Sequence, residues 1–184
     1  MGERSSAGQR KNLVGFEVNG VCYAIDILQV REIIRPLGTL RVPSSGAIGG
    51  RGLAGVADHR GHVVPVIDLR TRFEAMTRSI TGMSAADRAS TRPREARWLI
   101  VAVHNHLVGF VVDRVTEVFG SSQPASRDVS HLSRADDARL IQAAYRHRDA
   151  LVFVLDVDRL ASEAEVEAGE LAPFVKAEGS DAGA

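Results

Sequence analysis

The residues most suggestive of chemistry lie in one short run, from Asp58 to His62. Carboxylate and imidazole groups are ordinary metal ligands, so Asp58, His59 and His62 would suit a small metal-dependent or hydrolytic site. Strand-like alternation would send Asp58 and His59 to opposite faces, so these residues would not face one metal ion together. No other residue nearby supplies a further ligand at a fixed spacing. We therefore interpret these histidines, together with His104 and His106, as solvated side chains.

Three aspartates, Asp68, Asp113 and Asp156, each follow an apolar run and resemble candidate catalytic acids. Capping of the next turn or helix explains them with fewer assumptions. Residues 46–52 are rich in glycine but lack the Lys followed by Ser or Thr of a nucleotide-binding loop. No nucleophile elbow or dinucleotide fingerprint is present either. The sequence therefore predicts a protein that is not an enzyme, with no metal and no cofactor.

The composition limits the classes of partner. Apolar residues make up 45% of the chain, and 23 Lys and Arg balance 23 Asp and Glu, so no long-range field favours nucleic acid or an anionic membrane. Cys22 is the single cysteine and has no partner for an internal disulfide. No run approaches the roughly 20 apolar residues that span a bilayer. We expect a cytoplasmic protein with no nucleic-acid partner and no membrane insertion.

Short β-branched runs separated by turn signals predict a chain made mainly of strands. The clearest pair, 13–18 and 21–25, is joined by Asn19-Gly20, which tolerates the positive φ angles of a two-residue hairpin turn. A second hairpin is expected around a longer loop at 58–62. The remaining strands are predicted at 53–57, 63–67, 98–103, 107–112, 115–119, 139–145 and 151–157.

The strand pattern occurs twice. Residues 23–33 align with 108–118 at an offset of 85, and residues 62–68 align with 150–156 at an offset of 88. Each alignment also pairs an acid with an acid, Glu32 with Glu117 and Asp68 with Asp156. We interpret this as two copies of one β-unit. Because closure removes exposed strand edges, the units are predicted to form two small barrels with a groove between them.

The segments between the runs suggest the domain organisation. Residues 1–11 are predicted to be a disordered N-terminus, and residues 76–96, rich in Ser, Thr, Arg and Ala, a linker. The two repeated barrels would then span about 12–75 and 97–160, with partial exchange of strands between them left open. The acid-rich residues 161–184 are expected to form a C-terminal helix and a disordered tail.

Residues 23–33, 55–70 and 108–118 resemble the CheW-like domain, in order and spacing, and the resemblance covers about 12–160. It implies two five-stranded SH3-like barrels. It also implies a role as an adaptor between two partners, the cytoplasmic tip of a methyl-accepting chemoreceptor and the regulatory domain of a CheA-type histidine kinase. Such an adaptor would be recruited from the cytoplasm to receptor arrays.

The resemblance also implies a binding site. It aligns the family's Asn-Leu-Arg-Gly turn with residues 58–61, so that Arg60 corresponds to the family's coupling arginine. The full set of implied partner-binding residues is Val30, Glu32, Ile33, Gly55, Arg60 and Gly61. From the residues alone, Arg60 could equally tie down its own turn, and Val30 and Ile33 could equally be core.

The sequence departs from the family in three places: Asp58-His59 replaces Asn-Leu, residues 44–51 form a glycine-rich insertion, and the 76–96 connection is long. An alternative function is therefore a divergent relative that insulates or modulates such a pathway, in motility or development, by binding only one class of partner.

Overall fold

The structure of this chain is a computed structural model, and it describes residues 11–40, 52–82, 96–104, 106–120 and 139–162. The strands are β1 (Asn12–Val18), β2 (Val21–Asp26), β3 (Val30–Ile34), β4 (Leu53–His59), β5 (His62–Asp68), β6 (Arg97–Val103), β7 (His106–Val112), β8 (Arg114–Gly120), β9 (Ile141–His147) and β10 (Ala150–Leu155). The helices are α1 (Leu69–Arg72), α2 (Glu74–Thr81) and α3 (157–162), and Ile27–Gln29 form one 3₁₀ turn.

The strands form two five-stranded sheets. One, which we name barrel 1, has the order β8-β1-β2-β10-β9, and the other, barrel 2, has the order β3-β6-β7-β5-β4. The two orders correspond strand by strand. If β1 to β5 are each exchanged with the strand numbered five higher, the order of barrel 1 becomes that of barrel 2. The prediction of a mainly β fold built from two five-stranded units is therefore confirmed, and the internal duplication is visible in the topology.

Each barrel takes strands from both repeats. In barrel 1, β2 pairs in parallel with β10, where Tyr23 lies opposite Phe153. In barrel 2, β5 pairs in parallel with β7, where Ile67 lies opposite Phe110. The boundaries 12–75 and 97–160 therefore delimit the two repeats and not the two barrels. The hairpins of one repeat leave strand edges that need pairing, and strands of the other repeat supply it.

The two-residue turn predicted at Asn19-Gly20 is confirmed, with φ angles of 52° and 80°. The longer loop predicted at 58–62 is wrong. Here β4 and β5 continue to the facing pair His59 and His62, which leaves Arg60-Gly61 as a second two-residue turn with φ angles of 55° and 80°. An arginine in the left-handed region is an unusual turn residue, so the sequence signal was weak.

The capping roles predicted for Asp68 and Asp156 are confirmed. Asp68 accepts from the backbone N–H of Arg70 at 2.9 Å, and Asp156 accepts from that of Arg159 at 3.1 Å. Asp113 behaves differently, because it is buried and its carboxylate accepts the backbone N–H of the β1–β2 turn at 2.6 Å. Asp113 therefore stabilises the Asn19-Gly20 turn and is not a helix cap.

Helix α2 occupies the beginning of the stretch interpreted as a linker, 76–96. Met76 and Thr77 are buried, and the helix ends at Gly82 with a φ of 67°. The linker interpretation is therefore wrong for 76–81. The apolar residues Phe73 and Met76 lie three residues apart on one helical face. A single such pair is too short a pattern to predict a helix from the sequence.

Several predictions concern residues outside the described part of the chain. These are the disordered N-terminus over 1–10, the glycine-rich residues 44–51, the rest of the linker from 83 to 95, and the C-terminal helix and tail beyond 162.

Among the residues that the structure describes, three clusters of buried side chains form the core. One draws only on barrel 1 strands (Leu13, Ala24, Ala143, Val152 and Val154), and one only on barrel 2 strands (Ala57, Val66, Trp98, Ile100 and Val111). The largest, which we name the central core, draws on both barrels. At its centre Tyr23 stacks on Phe73, with ring centroids 5.1 Å apart and planes 17° apart. The two barrels are thus joined by a shared hydrophobic interior.

We expect Phe73→Ala to lower the free energy of unfolding by about 3–5 kcal/mol, because it opens a cavity in the central core. Urea unfolding followed by circular dichroism measures this. Leu40→Ala is the control, since Leu40 is 75% exposed and its loss should change the free energy by no more than about 0.5 kcal/mol. Equal effects of the two substitutions would contradict a shared core at Phe73.

Candidate partner-binding site

A polar cluster bridges the two outer strands of barrel 2. Strands β3 and β4 lie at opposite ends of the sheet order and are not hydrogen-bonded neighbours. Glu32 of β3 contacts two residues of the β4–β5 hairpin: its Oε1 lies 3.4 Å from His59 Nε2, and its Oε2 accepts from Arg60 Nη2 at 3.0 Å. We name Glu32, His59 and Arg60 the barrel 2 cluster.

The two partners of Glu32 differ in exposure. The side chain of His59 is 9% exposed, whereas that of Arg60 is 73% exposed. The turn beneath Arg60 is fixed, since Asp58 accepts the backbone N–H of Gly61 at 2.8 Å. Glu32 is therefore held by a buried histidine on one oxygen and by an exposed arginine on the other.

The histidines predicted to be solvated separate into two groups. His62, His104 and His106 are exposed, as interpreted. The interpretation is wrong for His59, which is buried against Glu32. Alternation along β4 turns Asp58 outward and His59 inward, and the partner of His59 comes from a strand that the sequence alone does not bring near.

The same cluster recurs in barrel 1. His147 Nε2 lies 3.2 Å from Glu117 Oε1, and Arg148 Nη2 lies 3.1 Å from Glu117 Oε2. Phe119 also stacks on His147, with ring centroids 4.1 Å apart. We name Glu117, His147 and Arg148 the barrel 1 cluster, and it again joins the two outer strands, β8 and β9.

Sequence reasoning missed the barrel 1 cluster, although a signal was present. The 88-residue offset that aligns 62–68 with 150–156, continued three residues upstream, pairs His59 with His147 and Arg60 with Arg148. The 85-residue offset already pairs the two glutamates. Continuing both alignments would have predicted one cluster in each barrel.

The other predicted site residues have different environments. Val30 is half-buried and packs against the central core. Ile33 is 46% exposed, next to Glu32 in β3. Gly55 is buried in β4 beside a bulge, with a φ of 140° that favours glycine. Gly61 is exposed on the same turn as Arg60. The structure thus brings Glu32 of β3 together with Arg60 and Gly61 of the β4–β5 turn, and leaves Gly55 buried in β4.

Exposed apolar side chains flank both clusters in the sequence. Ile33 follows Glu32 in β3. Val63 of β5, which is 66% exposed, is paired with Asp58 of β4. At the equivalent positions of barrel 1, Val118 is 56% exposed and Leu151 is 48% exposed. Each hairpin therefore carries an exposed arginine in its turn and an exposed aliphatic residue, Val63 or Leu151, at the start of its second strand, and arginine is enriched at the centres of protein interfaces.

A groove of about 660 Å³ lies where residues of both barrels meet the β2–β3 connection. Leu28, 85% exposed, stands on the 3₁₀ turn that begins after Asp26, whose carboxylate accepts the Leu28 N–H at 3.0 Å. The lining residues that matter here are Leu13, Leu28, Arg31, His104, Tyr145 and Asp158. This mixture of apolar and charged groups suits an amphipathic segment.

Residues 12–165 match the CheW-like domain. The chain belongs to the CheW-like family. This CheW-like chain is 28% identical over 165 residues to a Helicobacter pylori protein named Chemotaxis protein CheW, covering 86% of this chain and 90% of that protein. It is 24% identical over 155 residues to the Treponema pallidum protein of that name, with 84% of each chain covered. For the Bacillus subtilis protein of that name the identity is 27% over 148 residues, covering 80% and 85%.

The CheW-like chain also resembles a solved structure, that of the scaffolding protein TtCheW from Thermoanaerobacter tengcongensis. The TM-score is 0.63 at 20% identity, and the match covers 87% of this chain and 93% of that one. The predicted family resemblance and the predicted SH3-like double-barrel fold are therefore confirmed.

Within the described ranges, no three His, Cys, Asp or Glu side chains lie close enough together to hold a metal ion, and no helix is long and apolar enough to cross a bilayer. Asp58 contacts the Gly61 N–H, and His59 contacts Glu32.

We expect Arg60→Ala and Arg148→Ala each to lower the free energy of unfolding by less than about 1 kcal/mol, because ion pairs at exposed side chains contribute little. Arg70→Ala is the comparison: its Nε donates to Asp68 at 2.8 Å, and a partly buried, two-pronged pair should cost about 2 kcal/mol or more. Urea titration measures all three. A loss at Arg60 as large as that at Arg70 would mean that Arg60 serves its own turn.

Proposed function

We propose that this chain is a non-catalytic adaptor that couples chemoreceptors to a CheA-type histidine kinase. Support comes from its membership of the CheW-like family and from the chemotaxis names of its relatives. Two surfaces of suitable chemistry, the barrel 2 cluster and the groove, would let one chain hold two partners. The adaptor works in the cytoplasm, is recruited to receptor arrays and turns over no substrate.

The kinase regulatory domain is the proposed partner of the barrel 2 cluster. The observation that carries this assignment is the exposed Arg60 guanidinium, which uses Nη2 on Glu32. Its planar, multi-donor head can form a second set of hydrogen bonds with a carboxylate or backbone carbonyl of a partner. Val63, exposed on the strand that leaves this turn, supplies apolar area on the same hairpin. Arginine is enriched among the residues that carry most of the binding energy of an interface.

The receptor tip is the proposed occupant of the groove. A helix with an apolar stripe would place that stripe against Leu28 and Tyr145, and its charged flanks beside Arg31 and Asp158. The groove and the barrel 2 cluster use different residues, so both partners can bind the same chain.

Arg60→Ala should weaken binding of the cognate CheA-type regulatory domain about tenfold or more, which corresponds to about 1.4 kcal/mol. Isothermal titration calorimetry of the two purified proteins gives the affinity. Arg148→Ala, the equivalent change in barrel 1, is the matched control and should leave this affinity unchanged. If the wild-type chain does not bind the kinase domain, the proposal fails.

Leu28→Glu should sharply reduce capture of the cognate receptor's cytoplasmic fragment, because it puts a charge on the apolar rim of the groove. Pull-down with immobilised receptor fragment measures the capture. Leu40→Glu, also at an exposed leucine but outside the groove lining, is the control. Equal capture by both variants would remove the groove from the receptor contact.

A second candidate function is a divergent adaptor that insulates or modulates the pathway by binding one partner class only. The observation that favours it is Asp58-His59 beside Arg60, where the family has Asn-Leu, since these residues alter the hairpin that carries the arginine. Binding to the kinase domain without binding to receptor, or the reverse, would support this function over the coupling role.

A further inference from the structure

We propose that His59 is a positioning residue: it fixes the Glu32 carboxylate from the buried side, and Glu32 in turn presents the Arg60 guanidinium to a partner. This inference rests on the proposed function, because it concerns the same hairpin surface. His59 stands where the family resemblance has a leucine.

The backbone of the β4–β5 turn fixes where the Arg60 side chain starts. Arg60 and Gly61 both have positive φ, and Asp58 holds the Gly61 N–H at 2.8 Å. The Cα position of Arg60 is therefore fixed, but its long side chain still has rotatable bonds whose ordering costs entropy. Something beyond the turn must choose the direction of the guanidinium.

Glu32 sets the direction of the guanidinium, because its Oε2 accepts from Arg60 Nη2 at 3.0 Å. A single contact at a side chain that is 73% exposed is weak if its acceptor can move. Glu32 has a flexible side chain of its own, so an isolated Glu32–Arg60 pair would hold the guanidinium loosely.

His59 removes that freedom. It is buried, and its Nε2 lies 3.4 Å from Oε1, the oxygen of Glu32 that Arg60 does not use. With Oε1 held by the buried imidazole, Oε2 is left in a fixed position for Arg60. Without the histidine, Oε1 loses this partner, and the Glu32 side chain, which is 29% exposed, can take other rotamers toward water.

The duplication gives an independent instance of the same arrangement. In barrel 1, His147 again contacts Oε1 of a glutamate through Nε2, and Arg148 again contacts Oε2. The recurrence of three residues, with the same division of the carboxylate oxygens, indicates that the cluster works as a unit and that the histidine is part of it.

The test uses two substitutions. His59→Leu keeps the apolar bulk and removes the imidazole nitrogen that faces Glu32 Oε1, and His59→Gln keeps an amide N–H group near the position of Nε2. We expect His59→Leu to weaken binding of the purified CheA-type regulatory domain roughly three- to tenfold and His59→Gln to restore it to within about twofold. His147→Leu, the matched change in barrel 1, should leave the affinity unchanged.

A double-mutant cycle separates positioning from stability. If His59 acts through Arg60, adding His59→Leu to Arg60→Ala should weaken binding no further, because the presented group is already absent. Additive losses would overturn the proposal, as would unchanged binding by His59→Leu alone. So would a loss with His147→Leu equal to that with His59→Leu.

A readout without a partner keeps this inference separate from the proposed function. ¹⁵N relaxation of the Arg60 Nε–H group should report an ordered guanidinium in the wild type and in His59→Gln, and a mobile one in His59→Leu. If the wild type binds no kinase domain but shows this pattern, the proposed function fails and the positioning role stands. If Arg60 has the same order in all three proteins, the positioning role is overturned.

Discussion

The stacking of Tyr23 on Phe73 is the contact on which both barrels depend. Tyr23 belongs to β2 of barrel 1, while Phe73 follows α1, directly after the last strand of the first repeat. Phe16 and Phe153 complete the group around the Tyr23 ring. Because these rings lie in a core that both sheets share, neither barrel has a complete hydrophobic interior without the other. The two units are fixed relative to each other as a result.

Within that frame, a polar cluster links the two outer strands of each sheet, and in barrel 2 a backbone pair between Leu40 and Val56 also joins the chain after β3 to β4. The outer strands of each sheet are bridged by a glutamate that takes a histidine on one oxygen and an arginine on the other. Such a bridge contributes little to stability, because Arg60 and Arg148 are exposed. What it contributes is geometry: it sets a guanidinium at a defined place on a surface that also carries aliphatic groups.

Local features were predictable from the sequence, and long-range ones were not. Asn19-Gly20, the caps at Asp68 and Asp156, and the duplication all follow from residues close in sequence or from a constant offset. The exchange of strands is decided by which edges find partners after collapse, and no local pattern encodes it. His59 was misjudged for the same reason, since its environment is set by Glu32 on another strand. Family resemblance supplied Arg60, which spacing alone could not single out.

The exchange of strands also bears on how the chain is made. Every strand of barrel 2 lies between β3 and β7, so this barrel has all its parts once β7 has left the ribosome. Barrel 1 must wait, because β1 pairs with β8, and β2 pairs with β10, the last strand. During that interval neither edge of the β1–β2 hairpin is paired, and Tyr23 lacks its contact with Phe153. Synthesis in the N-to-C direction thus supplies all the strands of the barrel that carries Arg60 first, while the N-terminal hairpin waits with both edges exposed.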